Sequence, residues 1–388
     1  MNKVKKMMTI SMILLFLAGD FSLNRFSFIQ FEFKAAWIFL YLTILFFLAI
    51  KERNVSSPSK KNNLFMVFSI VFISVQMICV YNYFSQDVYN LEINSLIILI
   101  SIFLLNLNFK LYYANYDELL SVVCKTFIIV SIVYSIIIFY TAYATGGRGS
   151  IVIGGPNVTT RIVFFGLICS LYLYSIKNKI FYLILVLVFF ASIILVGSRG
   201  GIVSAIISII MLIFIKLFNL EVTPIKNKKI YKSVLGIIIG IAMIYPLKDN
   251  IKNMFTERIV NLLIKNFYLA GRDELLSKSL YYISKRPIIG YGFGSYYQIL
   301  GEYPHNIILE IMLNTGVLGL LLFIPVVAFM IYIIFKGLKS KYYIFYVLPF
   351  YMFMVSNFSG NLYDFRFYFF WVSFSLFLLV DNNIKKTG

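Results

Sequence analysis

The chain holds a single histidine, His305, in the tripeptide Pro304-His305-Asn306, where a polar stretch carrying Arg258, Arg272 and Arg286 meets a long apolar run. Imidazole is the side chain whose ordinary titration range lies closest to neutral pH. Held neutral by nearby arginines, it accepts a proton from a hydroxyl, which a charged ring cannot do. General base is the chemistry this position suggests, and the competing reading is an interfacial histidine bonded to Glu302 or to backbone. Arginine's planar fork suits two-pronged binding of phosphate or carboxylate. Arg199, within Gly197-Ser198-Arg199-Gly200-Gly201, and Arg161, after Gly155-Pro156-Asn157, add two more such groups. The expected ligand is a pyrophosphate or another anion. The competing reading has these arginines on lipid headgroups or paired with Asp249, Glu257, Asp273, Glu274, Glu302 and Asp364. Asn306 is placed to cap the following helix, whose first free N–H groups favour an anion.

The elements that must position these groups are helices in a membrane. The sequence is 61% hydrophobic and 13% charged, with apolar runs that reach the roughly 20 residues a bilayer crossing needs. Lipid satisfies no backbone hydrogen bond, so such runs are helices or a closed barrel, and runs without alternating polarity exclude the barrel. The fold class is therefore an all-α polytopic membrane protein with about twelve crossings. They are expected near 7–21, 33–50, 64–84, 94–109, 119–140, 161–175, 180–196, 202–218, 233–247, 306–335, 342–356 and 367–380. Residues 1–388 read as one integral membrane domain. The first crossing resembles a secretory signal in its three preceding lysines, but Phe16-Leu17-Ala18 makes a poor cleavage site and the helix is expected to be retained. Cys79, Cys124 and Cys169 fall inside crossings, where cysteine acts as a small apolar residue, so no disulfide or metal cluster is expected.

Lysines mark the sides. Lys3, Lys5, Lys6, Lys51, Lys60, Lys61, Lys177, Lys179, Lys226, Lys228, Lys229, Lys232, Lys336, Lys339, Lys341, Lys385 and Lys386 all fall in alternate connections, which the positive-inside rule assigns to the cytoplasm together with both termini. The net charge of +19 then reflects insertion and attraction to anionic headgroups, and nucleic acid is not an expected partner. Arginines break this pattern. Of nine, only Arg53 maps inside, whereas Arg25, Arg148, Arg161, Arg199, Arg258, Arg272, Arg286 and Arg366 map outside, against the insertion bias, as expected of an external anion site. Asp364 and Arg366 read as a simple ion pair.

Residues 248–303 form the one long external connection, between crossings nine and ten. Ile251, Met254, Phe255, Ile259, Leu262, Leu263 and Phe267 recur at the three- and four-residue steps of a helix lying on the membrane surface, with Gly271 as its stop. A second helix is expected from near Asp273 through Leu276, Leu280 and Ile283 to Pro287. The triplet Gly290-Tyr291-Gly292-Phe293-Gly294 lacks the strand–helix context of a phosphate loop and reads as a tight turn able to approach a ligand closely. Tyr291, Tyr296, Tyr297 and Tyr303 are placed to stack on sugars or, like many of the 29 tyrosines, to anchor at the interface.

Taken in order, Gly197-Ser198-Arg199-Gly200-Gly201, Gly271-Arg272, Arg286-Pro287-Ile288-Ile289-Gly290-Tyr291-Gly292-Phe293-Gly294 and Pro304-His305-Asn306-Ile307-Ile308-Leu309-Glu310 with Gly316 and Gly319 resemble the O-antigen ligase and polymerase (Wzy) superfamily. The resemblance covers about the last half of the chain. It implies a metal-independent enzyme without cofactor that moves a glycan from an undecaprenyl-diphosphate carrier to an acceptor hydroxyl at the outer face of the bacterial plasma membrane. It assigns His305 to acceptor activation and Arg199 and Arg272 to the pyrophosphate, with Arg161, Arg286, Asn306 and Tyr291 as further substrate-binding candidates. A leaving pyrophosphate gains charge in the transition state, where preorganised guanidinium groups stabilise it most.

Polymerisation of carrier-linked repeat units into a surface polysaccharide is the preferred activity, with a chain-length regulator and a flippase of the same pathway as possible partners beside membrane lipids. The alternative is an O-antigen ligase or O-oligosaccharyltransferase. A metal-dependent carrier glycosyltransferase is disfavoured because the first external connection carries only Glu32. A flippase or secondary transporter would also fit twelve helices. It is disfavoured because no internal repeat is visible and Lys125 is the only charge well inside a run.

Overall fold

The computed structural model describes residues 3–18, 60–78, 116–145, 155–218, 249, 252, 272–338, 340–362 and 364–384. The expected crossings near 33–50, 94–109 and 233–247 lie outside the described residues. So do the surface helix over 251–267, Gly271, Arg25, Arg53, Arg148, Arg258 and Cys79. The described residues form helices joined by turns: α1 (Lys3–Ala18), α2 (Lys60–Ile78), α3 (Tyr116–Thr145), α4 (Gly155–Lys177), α5 (Ile180–Val196), α6 (Arg199–Phe218), α7 (Arg272–Lys285), α8 (Tyr296–Leu300), α9 (Ile307–Gly337), a 3₁₀ turn (Tyr343–Tyr346), α10 (Val347–Phe358) and α11 (Arg366–Ile384). The all-helical class is as expected. Among the described residues three helices are long and apolar enough to cross a membrane, Tyr116–Ala144, Gly155–Lys177 and Ile307–Gly337, and shorter apolar helices occupy Asn63–Gln76, Ile180–Val196, Arg199–Ile215, Tyr343–Phe358 and Arg366–Leu379.

The helices gather into two compact units, one with α1 and α3 to α6, the other with α2 and α7 to α11. In the first, α4 packs between α3 and α5. Close approach rests on small residues: a Cβ added to Gly166 of α4 would stand 2.2 Å from Ser131 Oγ of α3, and Ser131 Oγ donates to Ile162 O at 2.9 Å. Ser192 of α5 donates to Ser135 of α3 at 2.9 Å. Without a hydrophobic drive between helices in lipid, such small-residue contacts and interhelical hydrogen bonds carry association. The outer side of α3 is an exposed apolar stripe of Ile129, Val133, Ile136 and Tyr140, the reverse of a water-soluble helix.

In the second unit α11 is the central helix, with Phe367 to Leu378 buried on all sides. Helix α9 is two-faced. Gly319, Phe323, Val326, Met330 and Ile333 turn inward, while Val317, Leu321, Ile324, Ile331 and Phe335 are exposed and apolar, as a helix bordering hydrocarbon requires. Helix α2 lies along α9 through Phe65 against Phe329 and Phe72 against Phe323, and Gln76 Nε2 donates to Thr315 Oγ1 at 2.7 Å.

Helix α9 is broken in the middle. Gly316 has φ 63° and ψ −153°, a conformation open to glycine and strained for any residue with a Cβ. The carbonyls and N–H groups freed by the break are taken up by the Pro287–Gly294 loop. Tyr291 N and Gly292 N donate to Leu313 O at 2.7 Å and Asn314 O at 2.9 Å, while Val317 N and Leu318 N donate to Pro287 O at 2.8 Å and Ile288 O at 3.3 Å. Irregular backbone at membrane depth is tolerated only where protein satisfies it in this way.

Candidate active site

The second unit carries the histidine. Asn306 caps α9 as expected: its Oδ1 accepts from Ile308 N at 2.9 Å and Leu309 N at 3.1 Å, satisfying two donors of the first turn. Its Nδ2 donates to Asn357 O at 3.1 Å, so the amide group of Asn306 is engaged at both ends. One residue earlier, His305 adopts φ 54°, a left-handed backbone that is uncommon outside glycine and clusters at functional positions.

The ring of His305 is half-buried. Tyr303 packs against it with centroids 4.0 Å apart, Nδ1 is buried with no hydrogen-bond partner among the described residues, and Nε2 faces Glu302 Oε2 at 3.7 Å. That separation is an ion-pair distance, longer than a hydrogen bond. Burial holds the imidazole below its ordinary value, the Arg272 guanidinium adds to this, and the carboxylates of Glu302 and Asp364 pull the other way. The expected lowering by arginine is present, but burial is its larger cause. The ring is neutral at neutral pH, the form that accepts a proton.

Arg272 is brought there by the end of α10. A helix C-terminus leaves its last carbonyls without partners in the helix. Here Asn357 O takes the Asn306 amide and the neighbouring Phe358 O takes Arg272 Nη1. One helix end thus gathers the start of α7 and the start of α9, and with them the guanidinium and the imidazole. Helix α7 follows the expected pattern from Arg272 to just short of Pro287, with Asp273 and Glu274 in its first turn and Glu274 bonded to Lys278 at 2.6 Å.

Two acidic groups of this unit had no place in the site from sequence alone. Glu310, one helical turn beyond Asn306, is buried and accepts Leu362 N at 2.9 Å, tying the connection between α10 and α11 to α9. Burial and the Glu310 carboxylate hold the Tyr296 phenol well above its usual value. Asp364, in that connection, lies 3.7 Å from buried Arg366, the expected ion pair, and its field reaches His305. The available signal was the carboxylate four residues after Asn306 on the same helix face. Arg286 and Tyr291 meet each other, the guanidinium 5.0 Å from the ring centroid, and the Tyr291 hydroxyl donates to Tyr282 O at 3.0 Å.

The first unit carries the other arginines. Helix α5 ends on Gly197, left-handed at φ 64°, and Ser198 starts α6 by accepting Gly201 N at 3.2 Å. The Ser198 hydroxyl also bonds Asn157 at the start of α4. A Cβ on Gly201 would meet Thr160 Cγ2 at 2.7 Å. The Gly-Ser-Arg-Gly-Gly run is thus a sharp helix-to-helix turn that seats the first residue of α6, Arg199, next to the start of α4. Arg161 follows Thr160 on α4, almost wholly buried, so Arg161 and Arg199 occupy the same end of this unit.

Comparison with known proteins bears on this arrangement. Residues 183–324 match the family model described as O-antigen ligase. That interval contains Arg199, Arg272, Arg286, Tyr291, His305 and Asn306 and leaves Arg161 outside. The chain is also 27% identical over 314 residues to the ComP-specific O-oligosaccharyltransferase of Acinetobacter baylyi, covering 72% of this chain and 54% of the relative, so it spans about half the length of that protein. Over residues 183–324 the chain is thus similar to the O-antigen ligase family, and over a longer stretch to an O-oligosaccharyltransferase.

Proposed function

We propose that the chain is a glycan-transferring enzyme of the bacterial plasma membrane, with both termini cytoplasmic and its site on the outer face, acting on an undecaprenyl-diphosphate-linked donor. The acceptor oxygen bonds to the anomeric carbon as the bond from that carbon to the diphosphate oxygen breaks. The carrier departs as its diphosphate, and the acceptor's proton passes to His305 Nε2. Glu302, 3.7 Å away, stabilises the imidazolium so formed. Arg272 binds the pyrophosphate and offsets its growing charge; the family resemblance gives Arg199 the same role, with Arg161 and Arg286 as further candidate cations. Tyr291 lies on the glycan side, and Asn306 contributes through the helix cap that seats the histidine. The observation that carries this reading is the juxtaposition of a half-buried imidazole, held below its ordinary range, with the Arg272 guanidinium.

The sequence alone favours polymerisation, in which the acceptor is another carrier-linked chain. Similarity to an O-oligosaccharyltransferase favours the alternative, transfer to an acceptor that is not carrier-linked, and we adopt it. Purified protein given carrier-linked oligosaccharide alone is expected to leave it unextended, and to transfer it once a lipid A core or a protein hydroxyl acceptor is supplied. A ladder of extended products from the donor alone would establish the polymerase instead.

A further inference from the structure

We propose that the Pro287–Gly294 loop, docked into the break of α9 at Gly316, is the device that positions Arg272 against His305, with Gly290 and Gly316 as its positioning residues. The inference rests on the roles given above to Arg272 and His305.

The break would ordinarily suggest a ligand site, since half-helix ends inside a membrane protein coordinate charged substrates and ions. Here protein fills it. Four backbone hydrogen bonds of 2.7 to 3.3 Å run between the loop and α9, two from the loop into the first half-helix and two from the second half-helix into the loop. The fit allows no side chain at the contact. A Cβ on Gly290, at φ 65°, would stand 2.6 Å from the backbone of Leu313 and Asn314, and one on Gly316 would stand 2.4 Å from the backbone of Ile288. Gly294 N adds a bond to Asn314 Oδ1 at 3.3 Å.

The loop follows directly on α7, whose first residue is Arg272, and α9 begins two residues after His305. The guanidinium and the imidazole therefore stand at the near ends of two helices locked together at their far contact. A second tie, Arg272 to Phe358 O, holds the side chain at the near end of α7. Two anchors define a direction where one defines only a point. Catalytic groups misplaced by about 1 Å lose on the order of a hundredfold in rate, so a lock of this kind acts on turnover.

The test compares two glycines. Gly290 and Gly301 both have left-handed backbone, φ 65° and 82°, but a Cβ on Gly301 meets nothing within 4 Å. Alanine at either is strained by the positive φ, and only Gly290→Ala also pushes on α9. Spin labels at Ser277→Cys on α7 and Ile308→Cys at the start of α9, both exposed positions, with the native cysteines replaced by alanine, report the spacing of the two helices in lipid nanodiscs. Rates are measured on the unlabelled proteins. Gly290→Ala is expected to broaden a narrow distance distribution and to lower kcat tenfold to a hundredfold with KM within about threefold. Gly301→Ala is expected to leave distances and kcat within about twofold of the parent.

Should Gly290→Ala fail to accumulate, Val317→Pro serves. It removes the single N–H that donates to Pro287 O, at the first position of the second half-helix, where proline is well accepted, after a Gly316 that is already extended in ψ. Equal behaviour of the two alanine variants, an unmoved distance distribution, or broadened distances with full kcat would each overturn the proposal. The distance readout needs no transfer, so a failure of the enzymatic reading itself would appear separately, as loss of the His305 dependence with the lock intact.

Discussion

Replacing Glu302 with Gln should make His305 a weaker base by an amount the geometry sets. Glu302 Oε2 stands 3.7 Å from Nε2 on an exposed side chain. Unit charges at that separation attract by about 1 kcal/mol in water, and exposed pairs measure about 0.2 to 1 kcal/mol. Loss of the carboxylate therefore lowers the imidazole pKa further below its ordinary value. The sign follows from the charged form: Glu302 stabilises imidazolium, so without it the ring stays neutral to lower pH. The acid limb of the pH–rate profile should therefore shift toward acid, while the neutral plateau falls by no more than about threefold, as expected of a slightly weaker base. Because His305 is the only histidine, a ring-labelled sample purified without a histidine tag gives one imidazole signal, and its titration reads the shift directly. About 0.5 M salt should erase most of the difference. An unmoved or upward-moving titration in Glu302→Gln would refute the assignment of Glu302 as the histidine's counter-charge.

Other outcomes follow from single contacts. Asn306→Ala removes the α9 cap and the tie to Asn357 O, and should destabilise the protein by about 1–2 kcal/mol, read as a lowered melting temperature in nanodiscs. Glu310→Ala leaves buried Leu362 N without its acceptor, at a cost of about 1–3 kcal/mol, whereas Glu310→Gln keeps a carbonyl there and should melt within about 1 kcal/mol of the parent. Arg272→Lys and Arg199→Lys keep charge but lose the fork. Each should lower transfer at least tenfold at unchanged membrane abundance, and a full rate in either would remove that arginine from the pyrophosphate.

Much of this was legible in the sequence because it depends on local rules. Apolar runs gave helices, Asn306 before Ile307 gave a cap, and Pro287 gave the stop of α7. Length along the chain was less legible. Helix α4 starts at Gly155 and α6 at Arg199, each earlier than the apolar pattern indicates, because capping and turn residues extend a helix beyond its hydrophobic stretch. The glycine triplet read as a tight turn, and its partner, the break at Gly316, is marked only by the short polar interruption Asn314-Thr315-Gly316, because the loop that docks there is brought in by packing. Glu310 stayed unassigned for a similar reason, since its partner Leu362 N lies 52 residues away. The order of the arginines pointed to an anion, and the contact that holds Arg272, a carbonyl at the end of α10, comes from packing alone.

The central claim is that His305 takes the acceptor's proton, and chemical rescue tests it most directly. Purified His305→Ala protein, given carrier-linked donor and acceptor, should be inactive at normal abundance. Added imidazole should restore part of the transfer, with a pH dependence that follows the neutral form of free imidazole. Transfer by His305→Ala at the parent rate without imidazole would contradict the account.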